Sequence, residues 1–292
     1  MALRRSGSVG PREPAEIQHR VDARFDRATS YWKDVYAGKD VASVVYQHRQ
    51  TLALAFSDQL GLPPGSAALE VGCGAGLMTV ALAQRGFQIH AMDSAPGMVE
   101  VTRTRADATN VSSRVTIRSA DAHSLPFQDE EFALVVALGV VPQLHSPRRA
   151  LSELVRVLER GGSLIVSTDN RWRLSYLLDP RDSSALSPVR RALKWALHRF
   201  GLRSRTPRAP LPYNRYTRKE FDRLIAWLGL EKTSGVMFGF GPFTFARRKV
   251  LPDQLGVFLH RALQRGCDRG VPGLRSVGWQ YLVLARKPTD GA

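Results

Sequence analysis

The chain has 292 residues, of which 43% are hydrophobic and 23% are charged, close to an ordinary globular composition. This composition excludes a chain that is disordered throughout. Only two cysteines, Cys73 and Cys267, are present, which excludes a disulfide framework and a cysteine-based zinc site. The formal net charge is +16, and it resides entirely in residues 171–292 because the first 170 residues balance 18 basic against 18 acidic residues.

The N-terminal region predicts two helices before any strand. Residues 1–14 carry basic residues with no apolar stretch, so we expect a disordered tail rather than a secretory signal. Apolar residues recur at every fourth position from Ile17 to Phe25, which is typical of an amphipathic helix. A second helix is predicted over residues 41–60, and a Pro-Pro-Gly cluster ends it.

From residue 67 onward, apolar strand candidates alternate with helical patterns. Such alternation predicts an α/β fold with a parallel sheet and right-handed crossovers. The predicted strands are 67–71, 88–93, 115–120, 132–139 and 163–168, and the predicted helices between them are 77–85, 95–108 and 147–159.

The alternation stops after residue 170. Thr217 and Glu220 have capping-box spacing at the start of a predicted helix over 217–228. A strand over 231–238, a helix over 252–267 and a final strand over 280–286 complete the prediction.

The most informative segment is residues 70–76, Glu-Val-Gly-Cys-Gly-Ala-Gly, where the first strand turns into the first helix. Ligands of open α/β sheets bind at this carboxyl edge, and glycines there allow a ligand to approach the backbone closely. Asp93 ends the second strand and Asp121 the third. A carboxylate such as Asp93 can accept two hydrogen bonds from ribose hydroxyls.

A dinucleotide-binding enzyme is one alternative for this motif. The dinucleotide fingerprint is G-x-G-x-x-G/A, whereas here Leu77 stands at the place of the third small residue. Glu70 would also repel a pyrophosphate. The segment therefore favours a cationic or zwitterionic ligand.

Several motifs in sequence order carry a family resemblance. Residues 70–76, Asp93, residues 119–127 (Ser-Ala-Asp-Ala-His-Ser-Leu-Pro-Phe) and residues 151–162 with their terminal Gly-Gly resemble class I S-adenosylmethionine-dependent methyltransferases. The nearest subgroup is the small-molecule enzymes of ubiquinone and menaquinone biosynthesis, and the similarity covers about residues 40–170. It implies a Rossmann-like fold with a seven-stranded, mostly parallel sheet and helices on both faces.

The implied organisation has five parts: a tail (1–14), an N-terminal helical lid (15–62), a cofactor-binding core (63–170), a basic helical insertion or cap (171–212) and a C-terminal part that completes the sheet (213–292).

The resemblance also implies site residues for S-adenosylmethionine. By position, the loop of Gly72, Cys73, Gly74 and Gly76 would lie along the methionine part of the cofactor, and Glu70 would support that loop. Asp93 would bind the ribose, and Ser94 and Met98 would flank the adenine. Asp121 would bind the adenine amino group beside Ala122, and Leu138 would lie near the methyl group. Tyr31 and Arg49 lie on helices that would fold over the cofactor. Arg49 could pair bidentately with its carboxylate, or be an ordinary surface arginine.

The general base is harder to assign. Methyl transfer is an in-line displacement that gains from orientation, and a hydroxyl acceptor gains further from a base. Many relatives carry a His-His pair after the fourth strand, where this chain has Gln143 and a displaced His145. His145 is the candidate base and His123 the second, with a polar loop residue as the alternative. No residues show metal-ligand spacing, so we expect no metal.

The acceptor predicted from the resemblance is a small-molecule, lipid-like or glycan-linked metabolite, methylated on O or C. An RNA methyltransferase using the basic C-terminal part is one alternative, although no RNA-binding module is recognisable. A non-catalytic cofactor-binding protein is another. The oligomeric state stays open.

Residues 188–208 contain seven Lys and Arg residues and no acid, with an apolar stripe at helical spacing and Trp195 near its border. This pattern predicts either an interfacial helix on an anionic membrane or a cap packed on the sheet. No apolar run is long enough to cross a bilayer. We therefore expect a cytoplasmic protein, with peripheral membrane association as an open alternative.

Overall fold

The computed structural model describes residues 13–179, 188, 191, 192, 195, 211–245 and 248–289. Most of the predicted basic helix over 188–208, and with it the membrane hypothesis, therefore lies outside the described residues. Residues 1–12 of the predicted tail do so as well, whereas Glu13 is the N-cap of the first helix and Pro14 its first residue. In the described part of the chain, no helix is both long enough and apolar enough to cross a bilayer.

Three helices precede the sheet: α1 (Pro14–Arg27), α2 (Thr29–Asp34) and α3 (Val41–Gln59). The predicted α1 and α3 are confirmed, whereas α2 was not predicted. Asp40 fixes the start of α3, because its side chain accepts hydrogen bonds from the Ala42 and Ser43 amides.

The strands are β1 (Ala67–Val71), β2 (Gln88–Asp93), β3 (Val115–Ser119), β4 (Phe132–Ala137), β5 (Leu158–Asp169), β6 (Glu231–Phe238), β7 (Thr244–Phe245), β8 (Arg248–Lys249) and β9 (Gln280–Arg286). Seven of them form one sheet in the order β3-β2-β1-β4-β5-β9-β6, and β7 and β8 form a separate hairpin. The pairs among β1 to β5 are parallel, and β9 is antiparallel to both of its neighbours. The predicted seven-stranded, mostly parallel α/β sheet is confirmed.

Further helices whose bounds the structure describes are α4 (Leu77–Gln84), α5 (Pro96–Ala108), α6 (Pro147–Val157), α7 (Leu174–Leu178), α8 (Arg218–Trp227), α9 (Asp253–Asp268) and α10 (Leu274–Val277). The predicted capping box is present at the start of α8, with reciprocal hydrogen bonds between Thr217 and Glu220. Alternation along β1 sends Leu69 and Val71 into the core that contains α6 and α8, and Ala68 into the core that contains α3 and α4. Helices therefore cover both faces of the sheet.

The start of β5 is the strand boundary that differs most from the prediction. The sequence predicts a helix to residue 159 and a strand from 163, but α6 ends at Val157 and β5 already begins at Leu158. Leu158 pairs with Phe132, and the register then shifts before Ser163 pairs with Leu134. The glycines that read as a helix stop lie inside this strand, where Gly161 has a positive φ of 76°.

Candidate functional site

A cavity opens at the carboxyl edge of the parallel strands and is covered by the N-terminal helices. It is lined by the loop after β1, the ends of β2, β4 and β5, the turn after β3, the start of β9 and side chains of α1, α2 and α3. Parallel strands bring their carboxyl ends together. Residues distant in sequence therefore share one space.

The glycine loop presents backbone to this cavity. Gly72 has a φ of 72°, and a Cβ there would lie 2.4 Å from Cγ2 of Val140. Gly74 has a φ of 54°, but a Cβ there would meet no described atom within 4 Å. Because Gly74 lines the cavity, its open side is space that a ligand can occupy.

Glu70 lies at the base of this loop and is buried. Its Oε2 accepts a hydrogen bond of 2.5 Å from Oγ1 of Thr79, which ties β1 to α4. Burial raises the pKa of Glu70 to about 8, against the opposing effect of the Thr79 hydrogen bond. The carboxyl group is therefore largely neutral at pH 7 in the free protein.

Asp93 connects the glycine loop to the end of β2. Its carboxylate accepts hydrogen bonds of 3.0 Å from the amides of Gly74 and Ala95. Burial raises the pKa of Asp93 to about 6, although these two hydrogen bonds oppose the shift. Asp93 also lines the cavity, so it can accept further hydrogen bonds from a ligand.

Three more predicted cofactor residues line the same wall: Cys73, Ser94 and Met98. The Cys73 thiol is buried 3.4 Å from Oγ1 of Thr102. Burial raises its pKa well above the usual range, so it is not a nucleophile at neutral pH. Oγ of Ser94 accepts a hydrogen bond of 3.1 Å from Gln18 on α1, a contact that the sequence did not predict.

Asp121 and Ala122 line the cavity after β3, as predicted. Oδ1 of Asp121 accepts hydrogen bonds from the amide of His123 at 2.9 Å and from Nδ1 of its ring at 2.6 Å. The hydrogen bond to the His123 side chain lowers the pKa of Asp121. Asp121 also lines the cavity, so the two hydrogen bonds from His123 hold in place a carboxylate that a ligand can reach.

The two histidines proposed as bases serve this arrangement instead. Nε2 of His123 accepts a hydrogen bond from the Ser146 amide, and the ring of His145 stacks on His123 with centroids 3.6 Å apart. Neither histidine lines the cavity. The turn after β4 places His145 against His123 rather than in the cavity, and its assignment as the base stays a prediction.

Asp121, His123 and His145 bring their ligand atoms within 4.8 Å of one another. Sequence spacing missed this cluster because the fold, not the chain, joins residues 121 and 145. Both ring nitrogens of His123 are already hydrogen-bonded. The cluster is therefore explained as a support for Asp121.

The lid contributes one buried cation. Arg49 on α3 is only 6% exposed, and its Nη2 donates a hydrogen bond of 2.9 Å to Oη of Tyr36. Its guanidinium lies 4.9 Å from the ring centroid of Tyr46. Its Nε has no hydrogen-bond partner within the described part of the chain. The alternative of a surface arginine is thereby excluded.

Tyr31, predicted near the cofactor, lies outside the cavity. Its side chain is 51% exposed and does not line the cavity. The short helix α2 directs Tyr31 outward, edge-on to Trp32 at 5.3 Å between centroids. Trp32, Tyr36 and Tyr46 line the cavity in its place.

The far end of the cavity lies beyond β4 and β5. Leu138 lines it as predicted, and Asp169, Tyr213 and Gln280 join it without having been predicted. Asp169 ends β5 and pairs in register with Gln280 at the start of β9. Only an antiparallel β9 brings these two residues together, and the sequence carries no local signal for that pairing.

Comparisons with known proteins agree with this geometry. A family profile described as a methyltransferase domain matches residues 69–166. Demethylmenaquinone methyltransferase from Renibacterium salmoninarum is 30% identical over 149 residues, which cover 50% of this chain and 60% of that protein. Ubiquinone biosynthesis O-methyltransferase from Alkalilimnicola ehrlichii is 32% identical over 158 residues, 53% of this chain and 61% of that protein. The chain thus spans less than two thirds of the length of these curated relatives.

Solved structures share the fold over nearly the whole chain. Magnesium protoporphyrin IX methyltransferase from Synechocystis, with bound S-adenosylhomocysteine, has a TM-score of 0.60 at 16% identity, covering 93% of this chain and 99% of that one. Geranyl diphosphate C-methyltransferase from Streptomyces coelicolor has a TM-score of 0.57 at 18% identity, covering 95% and 100%. At these identities, the likeness concerns the fold.

Proposed function

We propose that the chain transfers a methyl group from S-adenosylmethionine to a small-molecule acceptor, because residues 69–166 match a family profile described as a methyltransferase domain. The acceptor receives the methyl group on oxygen or carbon. The curated relatives with quinone-related names support a small acceptor.

The observation that carries the proposal is the distribution of charge along the cavity. S-adenosylmethionine has a carboxylate at one end, a sulfonium in the middle and an adenosine at the other end. Arg49 supplies a buried cation with an unpartnered Nε, which suits the carboxylate. Asp93 and Asp121 line the cavity near the ends of β2 and β3, where their oxygens would suit the hydroxyl and amino groups of an adenosine.

The residues of this chain would act mainly by orientation. The sulfonium supplies an activated methyl group when the cofactor is bound. Asp93 would accept hydrogen bonds from the ribose hydroxyls, and Asp121 from the adenine amino group. Gly74 leaves room for the amino-acid part beside the backbone. Fixing both reactants in one line is a large part of such catalysis.

The acceptor end of the cavity supports an apolar or aromatic substrate. Trp32, Tyr46 and Tyr213 line it together with Phe25. Aromatic walls with a few polar groups are typical of sites for flat or lipid-like molecules. We therefore propose an aromatic or lipid-like metabolite as the acceptor class.

The test is transfer of a deuterated methyl group from labelled S-adenosylmethionine. The purified chain is incubated with small-molecule and RNA fractions of a bacterial extract, and labelled products are identified by mass spectrometry. We expect label in an organic-soluble small molecule, with the signal lost in Asp93→Asn and retained in the rim variant Arg24→Met. Label confined to RNA, or no label above the Asp93→Asn background, would contradict the proposal.

A further inference from the structure

We propose that Asp169 and Tyr213 form a proton-accepting pair at the acceptor end of the cavity, and that the reacting group of the acceptor is therefore a hydroxyl. This inference rests on the proposed methyl transfer and deepens it. It assigns the base that neither histidine can supply from its position outside the cavity.

Asp169 is a buried carboxylate held chiefly by neutral donors. It is 3% exposed and accepts hydrogen bonds from Oη of Tyr213, from Nε1 of Trp279 at 3.3 Å and from Nε2 of Gln280 at 3.0 Å. Nη1 of Arg173 is 4.0 Å away, at the limit of an ion pair. Asp169 therefore has no close bidentate cation among the described residues, although the buried Arg49 on α3 also interacts with it electrostatically.

Tyr213 connects this buried carboxylate to the cavity. Its side chain is 38% exposed and lines the cavity, while its hydroxyl donates to Asp169. Burial, and then the charge of Asp169, raise the pKa of Tyr213 well above its usual range. Tyr213 is therefore a phenol that donates its proton to Asp169 and has a lone pair left to accept one.

The neighbouring residue fixes Tyr213 in this position. The amide of Asn214 donates to the carbonyl of Pro142 at 2.8 Å, and its side-chain Nδ2 donates to the carbonyl of Leu144 at 2.6 Å. The segment is thereby fastened to the turn after β4. A relay residue must be held in one geometry to contribute to catalysis.

The location of the pair also favours the role. Asp93 and Asp121 lie at the ends of β2 and β3 and are bound by backbone amides or by His123. Asp169 instead ends β5, which is joined to the end of β4 by a hydrogen bond of 2.8 Å from the Gly139 amide to Oγ of Ser167. In the strand order, Asp169 on β5 and the two acids on β2 and β3 are therefore separated by β1 and β4.

The proposed step balances in atoms and charge. The acceptor hydroxyl gives its proton to Oη of Tyr213 as Tyr213 gives its own proton to Oδ2 of Asp169. The acceptor oxygen forms a bond to the methyl carbon as the carbon–sulfur bond breaks. The sulfonium becomes a neutral thioether, the carboxylate becomes a carboxylic acid, and that proton later returns to solvent.

The experiment uses 4-nitrocatechol, a phenol whose absorbance reports ionisation, with wild type, Asp169→Asn and Tyr213→Phe. Tyr176→Phe is the matched control, because Tyr176 packs on Arg173 and does not line the cavity. We expect kcat for methyl transfer to fall by about 10²- to 10⁴-fold in both pair variants. The deficit should shrink as the pH rises and the catechol ionises by itself.

Two binding readouts separate a chemical role from a structural one. The Kd for S-adenosylhomocysteine should stay within about twofold of wild type in every variant. In the S-adenosylhomocysteine complex, Asp169→Asn should lower the pKa of bound 4-nitrocatechol by about one unit, since removal of a nearby negative charge favours the phenolate.

An unchanged kcat in Asp169→Asn and Tyr213→Phe, or a loss of kcat that does not depend on pH, would overturn the proposed role of the pair. Wild type that binds S-adenosylhomocysteine and methylates only carbon acceptors would overturn the pair but leave the proposed function standing. Wild type that does not bind S-adenosylhomocysteine would overturn both.

Discussion

Replacing Arg49 by Met should abolish tight cofactor binding without destabilising the fold. Arg49 is buried at 6% exposure, with one hydrogen bond to Tyr36 and an Nε that lacks a partner in the described part of the chain. Met keeps the apolar packing and removes a charge that is costly to bury. We expect the free energy of unfolding to change by less than about 1 kcal/mol.

Binding should change far more. Loss of a buried charge pair with the cofactor carboxylate costs about 2–5 kcal/mol. At about 1.4 kcal/mol per tenfold, the Kd for S-adenosylhomocysteine should rise by about 30- to 4,000-fold. Titration calorimetry measures this change directly, and thermal unfolding measures stability in the same samples.

A shorter ligand makes the assay specific. 5′-Methylthioadenosine lacks the amino-acid end, so Arg49→Met should bind it as wild type does. Arg24→Met, at the exposed rim of the cavity, should leave both ligands unaffected. The reasoning is refuted if Arg49→Met binds S-adenosylhomocysteine within threefold of wild type, or if it weakens both ligands equally.

Three further predictions concern the glycine loop and its acids. Wild-type affinity for S-adenosylhomocysteine should fall as the pH drops through about 6, because protonated Asp93 is a poorer hydrogen-bond acceptor. In calorimetry, Asp93→Asn should bind this ligand about 10- to 100-fold more weakly than wild type at pH 7.5, with an affinity that does not change with pH. Glu70 has a raised pKa of about 8, so the native state binds its proton more tightly than the unfolded chain does, and stability falls as the pH rises from about 4.5 to 8. Glu70→Gln should remove the Glu70 part of that pH dependence, a few kcal/mol at about 1.4 kcal/mol per pKa unit. Because Asp93 still contributes a slope below about pH 6, the test is the range from about pH 6 to 8, where a wild-type slope in denaturant titrations of the variant would contradict this assignment. Gly72→Ala should lose about 2–5 kcal/mol of stability, because backbone strain at its positive φ adds to the contact of its Cβ with Val140. Gly74→Ala should lose only about 1–2 kcal/mol to backbone strain yet weaken binding more than 100-fold; equal binding by the two variants would argue against the assigned cofactor position.

Much of the fold follows from local pattern. Strands β1, β2, β6 and β9 have the predicted bounds, because apolar runs between turn signals mark buried strands. The predicted start of β5 was wrong, because residues 158–160 continue the helical sequence pattern of α6. In the structure, the pairing of Leu158 with Phe132 makes them part of the strand instead. The helices α2 and α7 and the hairpin β7–β8 are too short to leave a periodic signal.

The candidate site divides in the same way. The glycine loop, Asp93 and Asp121 could be placed from sequence because each follows a parallel strand. Asp169 and Gln280 could not, because their meeting depends on the direction of β9. The positions of Tyr31 and His145 outside the cavity could not be foreseen, because a short helix and a tight turn decide which way a side chain points.

The most direct test of the account is a calorimetric titration of the chain with S-adenosylmethionine and S-adenosylhomocysteine, with NADH and NADPH as controls. The account predicts one-to-one binding of both sulfur compounds with micromolar Kd, and no heat from either nicotinamide cofactor. Absence of binding by both sulfur compounds, or tight binding of a nicotinamide cofactor in the same cavity, would contradict it.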